Sequence, residues 1–364
     1  MAKQVRDGFD ALPPGCTVTL EPVARQRVLD HITAHVRPDL EVLSDAVREL
    51  QQRLGRWPTQ AEFIQEASID PRRLYMSKGR SWTALLQRRG VMPEGDTATL
   101  ERASAALRAV ASLTDRVSAR AGLELLAMID DGNPNLQVHE HARSWDLLLV
   151  EFGKLAGDVL GLGSSAGIDD VVQLLQRERP LREELRSLLA ALAERPSGLT
   201  PPGNRQVPDG VPLKLHHAYT RKQLLAAFGW EHAWKSNLQS GVMWIERLKA
   251  YLMLVTLEKD HTSFTERTRY RDYAISPTEF HWQSQATASP GRGDGLRIVD
   301  AMRGEATMWL FLRRSTEDAY GSEPFVFMGA FAPTSIEGAK PMSVTGTLAD
   351  ALPPQWFEIA ARAR

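Results

Sequence analysis

The chain has 364 residues, with 44 Lys or Arg and 45 Asp or Glu, so its net charge is close to zero. This length predicts two or three domains, and the charge excludes a global nucleic-acid-binding signature, so such binding must depend on local patches. Cys16 is the only cysteine, which excludes an intrachain disulfide and a multi-cysteine zinc site and fits a reducing cytoplasm. The chain starts with polar residues and has no apolar run long enough to span a bilayer, so we expect a cytoplasmic protein.

The first part of the sequence predicts helices. Between Glu21 and Leu54, apolar residues recur at helical spacing, and Pro38 forces a break. Thr59 is predicted to cap the next helix, because Glu62 follows three residues later in the spacing of a capping box. Residues 1–100 are therefore expected to form a helical domain.

Two further short helices complete a segment of this domain that resembles a helix-turn-helix. One is predicted after Asp70-Pro71 and the other over residues 81–86. Together with Gly55–Thr59, this pattern is loosely similar to the small helical repeats attached to some homing endonucleases. Its basic residues could present a charged face to a phosphate backbone, although a solvated helical face is the simpler interpretation. These basic residues are Arg72, Arg73, Lys78, Arg80, Arg88 and Arg89.

Residues 101–195 predict a scaffold of helices rich in alanine and leucine. His139-Glu140-His141 lies in this region, but no third ligand follows at a convincing spacing, so no metal site is predicted. The glycine-rich stretch 161–167 lacks the lysine and serine of a phosphate-binding loop and predicts a break between helices. Residues 196–213 are rich in proline and glycine and predict a linker.

Residues 214–364 predict a second domain that is dominated by strands. A helix from Thr220 to Phe228 is expected first, and short apolar runs separated by Gly, Asp and Pro follow. These runs favour a compact, strongly curved sheet or barrel. The predicted strands are Gly241–Ile245, Ala250–Leu257, Ala306–Arg313, Phe325–Phe331 and Lys340–Leu348. The fold class is therefore predicted to be α+β, with an all-helical N-terminal half followed by a curved β-barrel domain.

One run on a predicted long connection between strands, residues 268–285, is unusually rich in aromatic residues. Aromatic rings can cover the two faces of a flat heterocycle, and polar side chains between them can bond its edge. The candidate faces are Tyr270, Tyr273, Phe280 and Trp282, and the candidate edge contacts are Asp272, Ser276, His281, Gln283 and Gln285. Packing of the same aromatic residues within a β-rich core is the alternative.

The second half of the sequence resembles the domain of unknown function 3427. The resemblance is carried by four segments, Tyr219–Leu225, Tyr270–Pro277, Phe280–Gln285 and Pro324–Gly329. This domain is the C-terminal domain of many bacterial superfamily II helicases. They include phage-defence and type IV restriction enzymes that attack DNA with modified cytosine. The sequence contains no Walker lysine motif and no nuclease signature. It is therefore expected not to be an enzyme by itself, but to work with a helicase or nuclease module in cis or in trans.

In the restriction members, this tail is similar to an SRA domain, an SRA/PUA-like barrel that flips a methylated cytosine out of the duplex. The resemblance implies that Tyr270 and Trp282 sandwich the base and that Asp272 or a neighbour bonds its amino edge. Tyr273 occupies the position of the family's base-bonding aspartate, which leaves the role of Asp272 open. The rest of the implied pocket is Tyr273, Ser276, Phe280, His281 and Gln283. The residues expected to contact the DNA backbone are Arg267, Arg269, Arg271, Gln285, Arg292 and Arg297.

The sequence thus predicts a non-catalytic reader of modified cytosine, such as 5-methylcytosine, in double-stranded DNA. It would serve as the target-recognition part of a type IV restriction or phage-defence helicase system. A carboxylate that accepts from the exocyclic amine of cytosine would select against thymine. The alternative is a modification-independent DNA-binding or coupling module of a superfamily II helicase. A hydrolase built on Asp272, Glu279 and His281 is disfavoured because paired acidic metal ligands with a nearby lysine are lacking; no cofactor, metal or membrane contact is predicted.

Overall fold

The computed structural model of the chain describes residues 39–76, 80–91, 97–132, 142–195, 207, 210–230, 240–258 and 271–363. Several predictions fall outside the described residues. They are the helix before Pro38, most of the linker 196–213, and the binding candidates Arg267, Arg269 and Tyr270.

The regular elements described before residue 196 are all helical, as the sequence predicted. They are α1 (Asp39–Leu54), α2 (Gln60–Glu66), a 3-10 helix (Pro71–Tyr75), α3 (Trp82–Arg88), α4 (Ala98–Arg102), α5 (Ser104–Ala111), α6 (Arg116–Asp130), α7 (Ala142–Leu149), a 3-10 turn (Val150–Phe152), α8 (Gly153–Val159), a second 3-10 turn (Gly163–Ser165), α9 (Ile168–Arg177) and α10 (Arg179–Ala193). Among the described residues, every helix of the chain is too short or too polar to cross a bilayer.

The predicted helix starts are confirmed at two places. Thr59 Oγ1 accepts from the backbone N–H of Glu62 (3.2 Å), and Glu62 Oε2 accepts from the N–H of Thr59 (2.8 Å), which completes the capping box of α2. Ser81 Oγ accepts from the N–H of Ala84 (3.0 Å) at the start of α3. The short helix expected after Asp70-Pro71 is a 3-10 helix.

A buried carboxylate fixes this first segment to the scaffold. Glu184 in α10 is 1 % exposed, and its Oε1 accepts from the hydroxyl of Tyr75 (2.9 Å) and the N–H of Trp82 (2.8 Å). Its Oε2 accepts from the N–H (3.0 Å) and the hydroxyl (2.5 Å) of Thr83. The predicted boundary at residue 100 falls inside α4, and the helices on both sides of it share one hydrophobic core.

The second half contains β1 (Ala218–Tyr219), α11 (Arg221–Ala227), β2 (Val242–Ile245), β3 (Ala250–Thr256), β4 (Tyr273–Ser276), β5 (Glu279–Gln283), α12 (Gly293–Met302), β6 (Thr307–Arg313), β7 (Glu317–Asp318), β8 (Gly321–Ser322), β9 (Phe325–Glu337), β10 (Ser343–Leu348) and α13 (Pro354–Arg362). The main sheet has the order β2-β3-β6-β9-β10-β5-β4, and β1 pairs with the start of β9. Strands β3 and β6 are parallel, and the other pairs are antiparallel.

The sheet is mixed and open in the part of the chain that the structure describes. Strands β2 and β4 lie at its two ends and do not pair with each other. The α+β class is therefore confirmed at the level of a helical half followed by a mixed sheet, and the predicted barrel closure is not seen. The prediction of a long connection through residues 271–285 was wrong, because this run folds into the hairpin β4–β5.

Helices cover most of the sheet, but on different parts of its two faces. Leu252, Trp309 and Phe327 share a core with the helical half, whereas Met253, Leu310 and other residues of the opposite face pack with residues of α12 and α13. On the first face, the outward positions of β10, β5 and β4 are half-buried or exposed. The end of the sheet that carries the hairpin therefore has one face that no helix covers among the described residues.

Candidate functional site

The hairpin β4–β5 divides its side chains between two faces. Phe280 and Trp282 alternate along β5 with Glu279, His281 and Gln283, and residues two apart point to the same side of a strand. The first two are buried, and the other three are half-buried. His281 and Gln283 of the predicted pocket therefore lie on the open face of the sheet, whereas Phe280 and Trp282 lie on the core face.

Tyr273 and His281 form a stacked pair on the open face. They are register partners across β4 and β5, their ring centres are 4.7 Å apart and their planes are inclined by 17°. The Nδ1 atom of His281 lies 2.9 Å from the carbonyl oxygen of Arg271, so Nδ1 carries the proton and donates it. In the neutral ring, Nε2 is then an acceptor, and it has no hydrogen-bond partner among the described residues.

Beyond this pair, the side chains of Gln283 and Asp272 bond to the backbone and continue the hydrogen bonding between the two strands of the hairpin. The backbone N–H of Arg271 donates to Gln283 Oε1 (2.9 Å), and the N–H of Gln283 donates to Asp272 Oδ1 (3.0 Å). Asp272 is 6 % exposed, so its carboxylate has a structural role here, that of an acceptor for the buried backbone. The amide nitrogen of Gln283 has no hydrogen-bond partner among the described residues and can donate to a ligand.

Phe280 and Trp282 belong to the hydrophobic core. Phe280 is 0 % and Trp282 is 4 % exposed, and the indole meets the ring of Tyr251 edge to face at 6.2 Å. Neither ring has a face open to a ligand in this structure. The core-packing alternative therefore describes these two residues, and the structure does not bring Trp282 together with the stacked pair.

The remaining sequence candidates are distributed along the same end of the sheet and beside it. Ser276 Oγ accepts from the N–H of Thr278 (3.3 Å) in the turn of the hairpin. Gln285 Nε2 donates to Ser240 Oγ (2.8 Å), which joins the end of β5 to the start of β2. Arg271 is exposed and begins the hairpin.

Two arginines near α12 were also predicted to contact DNA. Arg292 is exposed and precedes the first residue of this helix. Arg297 pairs with Asp294 (2.9 Å), and its guanidinium carbon lies 4.9 Å from the centre of the Trp244 ring. Arg297 is thus already engaged by a carboxylate and an aromatic ring, whereas Arg292 is open to solvent.

Two hydroxyl residues of β10 complete the open face, and sequence reasoning missed both. Thr345 is the register partner of His281, and Ser343 is the register partner of Gln283. Both are half-buried. The signal for them was the alternation of β10, in which Ser343, Thr345 and Thr347 occupy every second position.

The open face thus combines an aromatic stack with hydrogen-bonding groups of both kinds. His281 offers an acceptor at Nε2, Gln283 offers amide N–H donors, and the two hydroxyls can do either. Successive side chains on one side of a strand are roughly 7 Å apart, so His281 and Gln283 are neighbours on the open side of β5. Among the described residues, no group of three or more His, Cys, Asp or Glu is arranged to hold a metal ion.

Comparison with known families supports the resemblance for the second half only. Residues 213–358 match the family described as a domain of unknown function, DUF3427. The match begins just before β1 and ends within α13, so it spans the whole sheet and leaves the helical half unassigned. No curated protein matches the chain.

Proposed function

We propose that the second half of the chain is a DNA-binding reader of modified cytosine, and that the open face of β4, β5 and β10 receives the base. The observation that carries this proposal is the Tyr273–His281 stack; beside it lie the amide of Gln283 and the Nε2 of His281, which has no hydrogen-bond partner within the described ranges. An SRA-like role remains the expectation given by the resemblance. The restriction or phage-defence setting, with a helicase or nuclease partner, is part of the same proposal.

The chemistry of this face suits an extruded base. Flipping a base costs a few kcal/mol of stacking and pairing, which stacking in the site and phosphate contacts must offset. Stacking of a base on an aromatic side chain contributes about 1–3 kcal/mol. Nε2 of His281 can accept from the exocyclic amine of cytosine, and the Gln283 amide can donate to its carbonyl oxygen or its ring nitrogen. This assignment moves the edge contact from Asp272, whose carboxylate holds the backbone, to His281 and Gln283.

A second candidate function is DNA binding that ignores modification. The burial of Trp282 favours this second function. The resemblance assigns the Trp282 ring to one side of the base sandwich, but the side chain is only 4 % exposed. Without a second ring, the face would act as a one-sided stacking platform, which accepts every base because each has a π face. The exposed Arg271 and Arg292 would then supply most of the affinity through phosphates.

A competition assay separates these two functions. Two short duplexes, one with a central 5-methylcytosine and one unmodified, compete for the whole chain at physiological salt. The reader predicts preference for the modified duplex, and Tyr273→Ala or His281→Ala should reduce that binding by about tenfold or more, which corresponds to 1.4 kcal/mol or more of lost stacking.

Two control variants make the assay specific. Trp282→Phe keeps the core apolar and should leave the preference unchanged, and Trp230→Ala removes an aromatic residue that is 41 % exposed outside the hairpin. Equal binding of the two duplexes by the parent would instead support modification-independent binding. Unchanged binding by both Tyr273→Ala and His281→Ala would show that the open face is not the site.

A further inference from the structure

A cavity lies where the helical half meets the first helix of the second half. Its volume is about 510 Å³, and small-molecule sites in proteins usually measure roughly 300–1,000 Å³. Its walls come from the 3-10 helix and the residue after it, from α4, α5 and α8, and from α11. Of the described residues, none that lines it belongs to β4, β5 or β10, so the cavity is separate from the open face of the sheet.

The cavity has an apolar floor and a charged rim. Ala106 and Leu155 line it and are buried, so they form part of the floor. Arg102 and Lys154 line it and are exposed, so they belong to the rim. The side chains that α5 contributes at 104–106 are one serine and two alanines, and their small size leaves the space open.

The charged side chains around the cavity do not cancel. Four cations and three carboxylates line it. Glu151 is 6 % exposed, accepts from the hydroxyl of Thr220, and has its other oxygen 3.5 Å from Nζ of Lys222. This pair neutralises one charge of each sign. Three cations then remain against two carboxylates, Glu101 and Asp158, which are exposed at the rim.

Arg108 is the half-buried member of these three cations. Its Nη1 donates to the carbonyl oxygen of Met76 at 3.3 Å, and a Cβ added to Gly321 would lie 3.7 Å from its guanidinium carbon. Within the described ranges, no carboxylate oxygen lies within 4.0 Å of Arg108, Arg102 or Lys154. A partly desolvated cation with one long bond to an uncharged oxygen is costly, and an anion in the cavity would supply its missing counter-charge.

We propose that this cavity binds a small organic phosphate, with the phosphate group at Arg108 and the uncharged part of the molecule over Ala106 and Leu155. The planar guanidinium fork matches the oxygens of a phosphate better than an ammonium does. The cations of the rim attract the same charge. Lys222 lies within the family match and Arg108 lies outside it, so the bound molecule would contact both halves. Binding here is independent of the proposed reading of modified cytosine.

Thermal unfolding of the whole chain tests this site without DNA. The probes are adenosine 5′-monophosphate, adenosine and inorganic phosphate, with chloride at matched ionic strength as the reference. The monophosphate should give a saturable rise of the unfolding midpoint, because a ligand that binds only the native state stabilises it by mass action. Inorganic phosphate should need a higher concentration, and adenosine should give no rise. A parent without a saturable rise for either phosphate overturns the proposal.

A pair of tryptophan variants locates the probe. Ala105→Trp introduces an indole at the edge of the cavity, and Ala127→Trp introduces the same group on α6, away from it. Both alanines are exposed, so both variants should fold. Ala105→Trp should raise the monophosphate concentration for half of the shift about tenfold or more, whereas Ala127→Trp should match the parent. Equal responses of the two variants would place the probe outside the cavity and refute the site.

Substitutions of Arg108 test the contact with the phosphate group. Arg108→Gln should lose the saturable rise, and Arg108→Lys, which keeps the charge without the fork, should need several times more monophosphate than the parent. The control Arg303→Gln removes an exposed arginine that follows α12 and should behave as the parent does. If Arg108→Lys and Arg108→Gln both responded as the parent does, Arg108 would not hold the phosphate.

A DNA titration identifies the source of the phosphate. A site for a free organic phosphate predicts that Arg108→Gln leaves the slope of log affinity against log salt unchanged for a short unmodified duplex. A contact with the DNA backbone would lower this slope by about one and would overturn the assignment to a small molecule. A chain that binds the monophosphate through Arg108 but does not prefer methylated DNA keeps this site and refutes only the reader function.

Discussion

Glu184 offers a sharp test of what holds the helical half together. Its two carboxylate oxygens accept four hydrogen bonds, from Tyr75, Trp82 and twice from Thr83, and it is 1 % exposed. In Glu184→Gln, an NH2 group replaces one oxygen and faces two donors. Each lost hydrogen bond to a charged acceptor costs about 1.5–3 kcal/mol, so for two bonds we expect the free energy of unfolding to fall by about 3–6 kcal/mol.

The neighbouring Glu183 supplies the matched control. Its side chain is 50 % exposed and pairs with Arg186 at 3.4 Å, and exposed pairs of this kind contribute about 1 kcal/mol at most. Urea unfolding followed by circular dichroism at 222 nm gives both values. If Glu184→Gln and Glu183→Gln unfolded at the same urea concentration, the carboxylate would not be the anchor of α3, and the hydrogen-bond argument would fail.

Two further predictions concern the junction and the hairpin. Burial lowers the pKa of His217, against the charge of Asp115, so the native state holds a neutral ring beside Thr114. Because the folded pKa lies below the ordinary value of 6.5, the unfolded state takes up a proton first, and the protein loses stability as the pH falls below 6.5. The thermal unfolding midpoint of His217→Gln should therefore fall less steeply than that of the parent between pH 7 and 5, about the range in which histidine titrates. In the hairpin, Asp272→Ala leaves the N–H of Gln283 without its acceptor and should cost about 1–3 kcal/mol in urea unfolding; an unchanged midpoint would mean that the carboxylate is not structural.

The sequence was most informative where a pattern is local. The capping box at Thr59 and Glu62 fixed the start of α2, since it depends only on residues three apart. The apolar runs located β2, β3, β6 and the first half of β9, because a buried strand needs apolar side chains on both faces.

The hairpin β4–β5 shows what was missed. Residues 279–283 alternate polar and apolar side chains, which is the pattern of a half-buried strand, but their aromatic content suggested a pocket instead. The same alternation already separates Trp282 from His281, because neighbours in a strand point to opposite faces. Local pattern could not, however, show that the helical half leaves the face of His281 open, since this depends on contacts between residues far apart in the sequence.

The same limit applies to Arg221 and Arg313. They are 92 positions apart in the numbering; Arg221 lies in one of the segments that carry the family resemblance, and Arg313 lies in none of them. The pairing of β6 with β9 brings Arg313 to the ring of Phe325, and the pairing of β1 with β9 brings Arg221, which follows β1, to the same ring. A cluster that exists through sheet topology alone leaves no signal in a single sequence.

The helical half contributes to the β domain as well as covering part of it. Tyr219 is 0 % exposed and its hydroxyl lies 3.4 Å from Asp115, while Glu151 accepts from Thr220 and pairs with Lys222 at 3.5 Å. Each of these acceptors belongs to the helical half, whereas the family match begins only at residue 213.

A segment cut at that point would expose one apolar face of β2, β3 and β6, and each large apolar side chain returned to water costs about 1.5–3 kcal/mol. The sheet is therefore expected to need the helices for its stability. Because the helices cover one part of this face and leave β10, β5 and β4 open, they also determine which part of the sheet a ligand can reach. The two halves thus act as one unit in any binding function, and binding is best measured on the whole chain.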